Sequence, residues 1–267
     1  MQIKKILILI GICSALFITG VASGESAQPA AHNFKTVNNA FGPGEKLTYE
    51  ISWSKVLDAG VAVMEVKDGK TKEGGRTFQF ITTTRSSGLV ETFYKVRDVV
   101  TSEVDADDFY SISFLLTESH GGRKRQRAMI FDHRSNKVTD RLNQDPPETF
   151  SVPERVLDAL SSLYYLRTRQ DFSTEKLIIV DVHDSGKNWA VEIQTLGKEK
   201  ISTPAGEFNT IKVKTYPKYE GVFTHKGEIY IWLTDDACKM PVLMKSIISI
   251  GSIVATLTEF KTGEVKP

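Results

Sequence analysis

Cysteine is nearly absent from this 267-residue chain: there are two, Cys13 and Cys238. Cys13 lies in an apolar leader, so a chain that loses the leader keeps one thiol and can form no internal disulfide. An excess of charge of either sign is also missing. Thirty-four Lys and Arg face 33 Asp and Glu, for a formal net charge of +1. A balanced chain lacks the basic field that nucleic acid requires. Histidine is sparse, with five residues at 32, 120, 133, 183 and 225 and neither HExxH nor a paired spacing that would hold zinc. No GxSxG elbow is present. DGKTKEGGRT (68–77) lacks the Gly-Lys-Ser/Thr ending of a phosphate loop and joins two strand-like runs. These absences point away from metal and cofactor chemistry. Beyond residue 23 no apolar run is long enough to cross a bilayer as a helix.

The chain opens on MQIKK, then ILILIGICSALFITGV, then ASGES. A basic start, an apolar stretch and small residues at Ala22 and Ser23 read as a secretory signal over 1–23. The competing reading is a retained anchor, since the stretch is near the lower limit for a span. Cleavage after Ser23 removes Lys4 and Lys5 and no acid, taking the net charge from +1 to −1. The expected location is the periplasm. Residues 24–40 are small and polar, a flexible lead-in, and residues 41–262 form one β-rich domain.

Within that domain the apolar period is mostly two. EKLTYEISW sets Leu47, Tyr49, Ile51 and Trp53 against polar partners, the pattern of a half-buried strand. More than ten such runs with short polar connections predict a mainly β fold, a large antiparallel curved sheet or open half-barrel. One long helix, Pro153–Arg169, is expected to pack on it. Ser151 would be its N-cap, Pro153 lies in the first turn and Glu154 completes a capping-box spacing. Val156, Leu160, Leu163 and Tyr164 share its apolar face. SSGLVETFYK (86–95) predicts a shorter helix.

Several stretches invite chemistry. DVHDSGKNWAVE (181–192) approaches a calcium loop, but histidine is a poor ligand for that ion and the flanks are strand-like, so DSGK reads as a hairpin turn. IYIWLTDDACKMPVLMKS (229–246) places Asp235, Asp236, Cys238 and Lys239 between two apolar runs. Aspartates suit a turn and Pro241 suits the first residue of a strand, so the stretch reads as a hairpin with an inert thiol. In RKRQR, Arg123, Arg125 and Arg127 fall on one strand face. They either pair with acids on a solvated surface or hold an anionic headgroup. Trp53, Trp189 and Trp232 belong to separate strands and serve as core, or, for Trp53 and Trp232, as walls of a ligand cavity. No catalytic residue is expected.

The series FGPGEKLTYEISW, LDALSSLYYLR, ISTPAGEFNTIKVK and GEIYIWLTDDACKMPVLMKSIISIGSIVATLTEF resembles the DUF3108 family of bacterial envelope proteins, from about Phe41 to Phe260. A cysteine stands in the turn of the last segment. That closing hairpin is also similar to one in LolA/LolB/RseB-like proteins. This second resemblance implies an incomplete barrel with helices on its concave side, some members carrying acyl chains. The combined expectation is a non-catalytic periplasmic protein that binds an apolar or amphipathic ligand, a lipid or lipid-linked glycan. The alternatives are an assembly module with an envelope protein partner and, last, a hydrolase.

Overall fold

The computed structural model describes residues 36–54, 57–219, 222–223, 228–248 and 251–265. Residues 1–35, which hold the expected signal segment and most of the expected lead-in, lie outside these. The chain first forms β1 (Lys46–Trp53), β2 (Leu57–Lys70) and β3 (Arg76–Ser86), then the short helix α1 (Gly88–Phe93). Next come β4 (Val96–Asp105), β5 (Ser111–His120), β6 (Arg123–Asp132), β7 (Lys137–Leu142) and β8 (Glu148–Ser151). Helix α2 (Ala159–Thr168) separates these from β9 (Leu177–Asp184), β10 (Lys187–Thr203), β11 (Gly206–Tyr219) and β12 (Val222–Phe223). The chain ends with β13 (Ile229–Thr234), β14 (Pro241–Ile248) and β15 (Gly251–Lys261).

All fifteen strands join one antiparallel sheet in the order β8-β7-β6-β5-β4-β3-β2-β1-β15-β14-β13-β11-β10-β9, with β12 added beside β11. The two halves of the chain are meanders, joined where the first and last strands pair. The sheet is the open, curved barrel that the two-residue period implies. β8 and β9 are its edges and do not pair with each other. Residues 152–157 run through the opening. Val156 O accepts from Ser111 N at 3.2 Å, while Leu157 exchanges bonds with Asp181 O and His183 N at 3.0 and 2.8 Å. An edge that would otherwise offer free amides is thereby covered.

Helix α2 begins at Ala159, six residues later than the expected start at Pro153. Ser151 is the last residue of β8, and the cap is Asp158, whose carboxylate accepts from Leu160 N and Ser161 N at 2.9 and 3.0 Å. Ser161 Oγ in turn accepts from Asp158 N at 3.0 Å, completing a capping box. The physical reason for the correction is tertiary. Residues 152–157 are drawn extended by their backbone bonds to β5 and β9, and the buried Asp158 carboxylate takes the hydroxyls of Ser102 and Ser111, both at 2.6 Å. The helix then lies inside the barrel, burying Leu160, Tyr164 and Leu166. α1 forms where SSGLVETFYK predicts a short helix.

Candidate functional site

Alternate residues of each strand point into the barrel, and α2 divides that interior. At one end an ion pair and a cluster of rings occupy it. Arg167, fully buried, gives Glu45 a two-pronged ion pair with both N–O distances 2.7 Å. Its guanidinium also lies 5.0 Å from the Phe41 ring and 5.3 Å from Tyr164, and it donates to the Cys238 carbonyl. Phe80 stacks on Tyr164 with centroids 3.8 Å apart. The FGPG segment reaches this end because Gly42 packs directly on the Glu264 backbone, where an added Cβ would sit 2.0 Å from the carbonyl oxygen.

Toward the other end the interior is not filled. An apolar cavity of about 90 Å³ lies between α2 and the sheet. Leu160, Leu163 and Leu166 form its helical side, and Ala62, Ile193 and Ile231 are among the strand residues facing them. Thr82 and Thr215 also line it, and their buried hydroxyls have no hydrogen-bond partner among the described residues. Tyr49 closes one wall, its hydroxyl donating to the Pro241 carbonyl at 2.7 Å.

Beside the cavity a polar row crosses the inner face. Ala62 opposes Thr84, Thr84 opposes Asp98, Asp98 opposes Glu118, and Glu118 opposes Arg125. His120 Nε2 bonds the buried Asp98 carboxylate at 2.8 Å, and Arg125 reaches Glu118 at 3.2 Å. The bond to Asp98 raises the imidazole pKa above its usual value against the opposing effect of burial. Asp98, Glu118 and His120 offer donor atoms within 4.8 Å of one another, so these residues could hold a divalent cation. Arg125 and a protonated His120 also balance the two carboxylates without one. The sequence reading missed this group. Its signal was an acid at an inward position: Asp98 between Val96 and Val100, and Glu118 after Phe114 and Leu116.

The arginine row divides by role. Arg123 is exposed at the rim, and Arg125 is half-exposed over Glu118. Arg127 is largely enclosed, bonded to Asp140 at 2.9 Å and to Ser185 Oγ at 2.6 Å. Ser185 belongs to the β9–β10 turn, so Arg127 links the two sides of the barrel opening. Near it, burial pushes the Asp184 carboxyl up to about 6.

The structure brings neither candidate tryptophan into the cavity lining. Trp232 opposes Lys212 on the outer face, donates to Glu199 at 2.6 Å and lies under the Lys212 ammonium at 4.8 Å. Trp53 ends β1 and rests near Gly251. Trp189 is buried.

The closing hairpin is structural. Asp236 accepts from Thr234 Oγ1, Cys238 N and Lys239 N at 2.6, 2.9 and 3.2 Å, and Asp235 pairs with Lys198 at 2.6 Å. Burial and the Asp236 charge raise the Cys238 pKa, which keeps it a thiol. The calcium-like stretch is a β9–β10 hairpin with Ser185 and Gly186 at φ 54° and 74°, the positive pair a tight turn requires.

No described helix is long and apolar enough to cross a membrane. No curated protein matches the chain. A β-barrel-like DUF1849 protein from Brucella abortus has a similar fold: TM-score 0.57, 12% identity, 84% of this chain and 99% of that one covered. An exported protein with a YmcC-like fold from Bacteroides fragilis also matches, at TM-score 0.34 and 12% identity over 84% of this chain and 98% of that one. A putative lipoprotein from Parabacteroides distasonis matches at TM-score 0.33 and 11% identity, covering 83% and 97%. The family model described as "Protein of unknown function (DUF3108)" matches residues 48–258, most of the barrel, and the chain belongs to that family.

Proposed function

We propose that this is a non-catalytic periplasmic protein that holds the apolar part of a lipid or lipid-linked glycan between α2 and the sheet. The observation that carries this reading is the cavity itself, about 90 Å³ and lined almost wholly by aliphatic side chains. Apolar cavities stay dry, and one of about 150 Å³ suffices for benzene. This one suits the end of an acyl chain, with more of the chain admitted if α2 shifts. The free hydroxyls of Thr82 and Thr215 support an amphipathic ligand. A buried hydroxyl without a partner costs about 1–3 kcal/mol, which a carbonyl or hydroxyl of the ligand would offset. Of the arginine candidates, Arg125 is the one we assign to a ligand headgroup, at the end of the polar row, four strands across the sheet from the cavity residue Ala62.

The assembly-module alternative receives less support. The β9 edge is covered by Leu157, and β8 is four residues long. Hydrolase chemistry has no support from Cys238 or Asp236, whose geometry serves the turn.

Native mass spectrometry tests the reading. Mature protein purified from an envelope fraction should carry an adduct with the mass of a fatty acid or phospholipid. After delipidation, fatty acid or lysophospholipid should raise the unfolding midpoint. A bare mass together with an unmoved midpoint would overturn the proposal.

A further inference from the structure

The two most exposed large apolar side chains among the described residues are Leu89 and Phe93, 72% and 82% exposed. Both belong to α1, one turn apart on the same side. Val90 anchors the helix inward, and Ser87 N bonds Ala59 O at 3.2 Å. The helix follows β3, beginning six residues beyond the cavity residue Thr82, at the rim toward which the cavity strands run. The β5–β6 hairpin belongs to the same surface: Gly121 N bonds Lys95 O at 2.9 Å, and the Tyr94 ring packs on Gly121.

The charge of this surface is mainly positive. Glu91 is engaged by Arg97, Asp98 by His120 and Glu118 by Arg125, while Asp58, beside Ala59, hydrogen-bonds Glu50. Arg85, Lys95, Arg123 and Lys124 are exposed and make no ion pair among the described residues. Two projecting apolar side chains ringed by free cations complement an anionic bilayer, whose phosphates meet the cations while the apolar groups enter the acyl boundary. A protein partner would need an acidic rim around an apolar pocket. The bilayer offers both at once and is also the source of the cavity's ligand.

We propose that the rim formed by α1 and the β5–β6 hairpin docks on an anionic lipid bilayer through Leu89 and Phe93, with Arg85, Lys95, Arg123 and Lys124 on the phosphates. The purpose of this docking, ligand exchange at the cavity, rests on the carrier reading, whereas the docking itself stands on exposure and charge. Flotation of the mature protein with vesicles of mixed phosphatidylglycerol and phosphatidylethanolamine is the test. The protein should float with them, and far less with pure phosphatidylcholine.

A Leu89→Ser, Phe93→Ser double variant should lose binding about tenfold or more, since two apolar anchors are withdrawn. Arg123→Glu with Lys124→Glu should weaken it as well, and raising salt to about 0.5 M should narrow the difference between lipid mixtures. Ala62→Leu, which fills the cavity, should still dock while losing acyl binding, so the two proposals can fail separately. Equal flotation of wild type and the Ser variant, or equal binding to neutral vesicles, would overturn docking. So would a dimer in solution that the Ser variant abolishes, since the patch would then serve a second copy.

Discussion

The two ends of the barrel interior solve the same problem differently. At the Arg167 end, stacked rings surround an ion pair that satisfies itself with two short bonds. At the α1 end, apolar residues of similar type leave about 90 Å³ open and two hydroxyls without partners. Native interiors close-pack wherever stability is the only demand. The contrast within one core is what our proposal rests on: the ligand at the unfilled end, stability at the filled one.

The sharpest way to break the comparison is at the filled end. Arg167→Ala strands the buried Glu45 carboxylate and should cost about 3–5 kcal/mol, read as a loss of denaturation midpoint. Leu160→Ala, between the two ends, should cost about 2–5 kcal/mol, toward the lower part of that range because one side already faces a void. A midpoint equal to wild type would place α2 outside the core. Asp158→Ala removes the cap and strands two hydroxyls, so about 2 kcal/mol is expected, whereas Ser151→Ala should stay within about 0.5 kcal/mol.

Asp184 gives a smaller, pH-dependent effect. Its folded pKa, about 6, lies above the ordinary carboxylate value, so the folded state binds the extra proton. Its contribution to stability is complete below about pH 4 and is lost as the pH rises through about 6. Asp184→Asn should therefore gain stability over wild type at pH 8 and little at pH 4.5, by urea unfolding. Identical differences at both pH values would contradict this. The smallest effect is expected at the closing hairpin. Asp235→Asn with Asp236→Asn should change stability by less than about 1 kcal/mol and leave ligand binding intact, because Asn serves the turn and the Lys198 pair is partly exposed.

What was legible in the sequence followed from local periodicity. Leu47, Tyr49 and Ile51 alternate, so β1 and its inward face could be read directly, as could the hairpin from Ile229 to Ile248. The face of Trp232 was legible too, opposite Ile229, Ile231 and Leu233, but which face held the cavity was not. The start of α2 was hidden because Ser151, Pro153 and Glu154 make a good local cap, and only the distant strands β5 and β9 pull those residues straight. Arg127 could not be separated from Arg123 and Arg125 by spacing, since its partner Ser185 arrives from across the barrel opening. Asp98 and Glu118 were readable as acids inside apolar alternation.

The cavity's role is tested most directly by filling it. Ala62→Leu places a larger aliphatic side chain among residues that already line the space, so the free protein should be as stable as wild type or more so. Fatty acid titrated into delipidated wild type should raise the unfolding midpoint, and in Ala62→Leu that rise should vanish. A folded Ala62→Leu variant that binds fatty acid as well as wild type would show that the cavity is not the site.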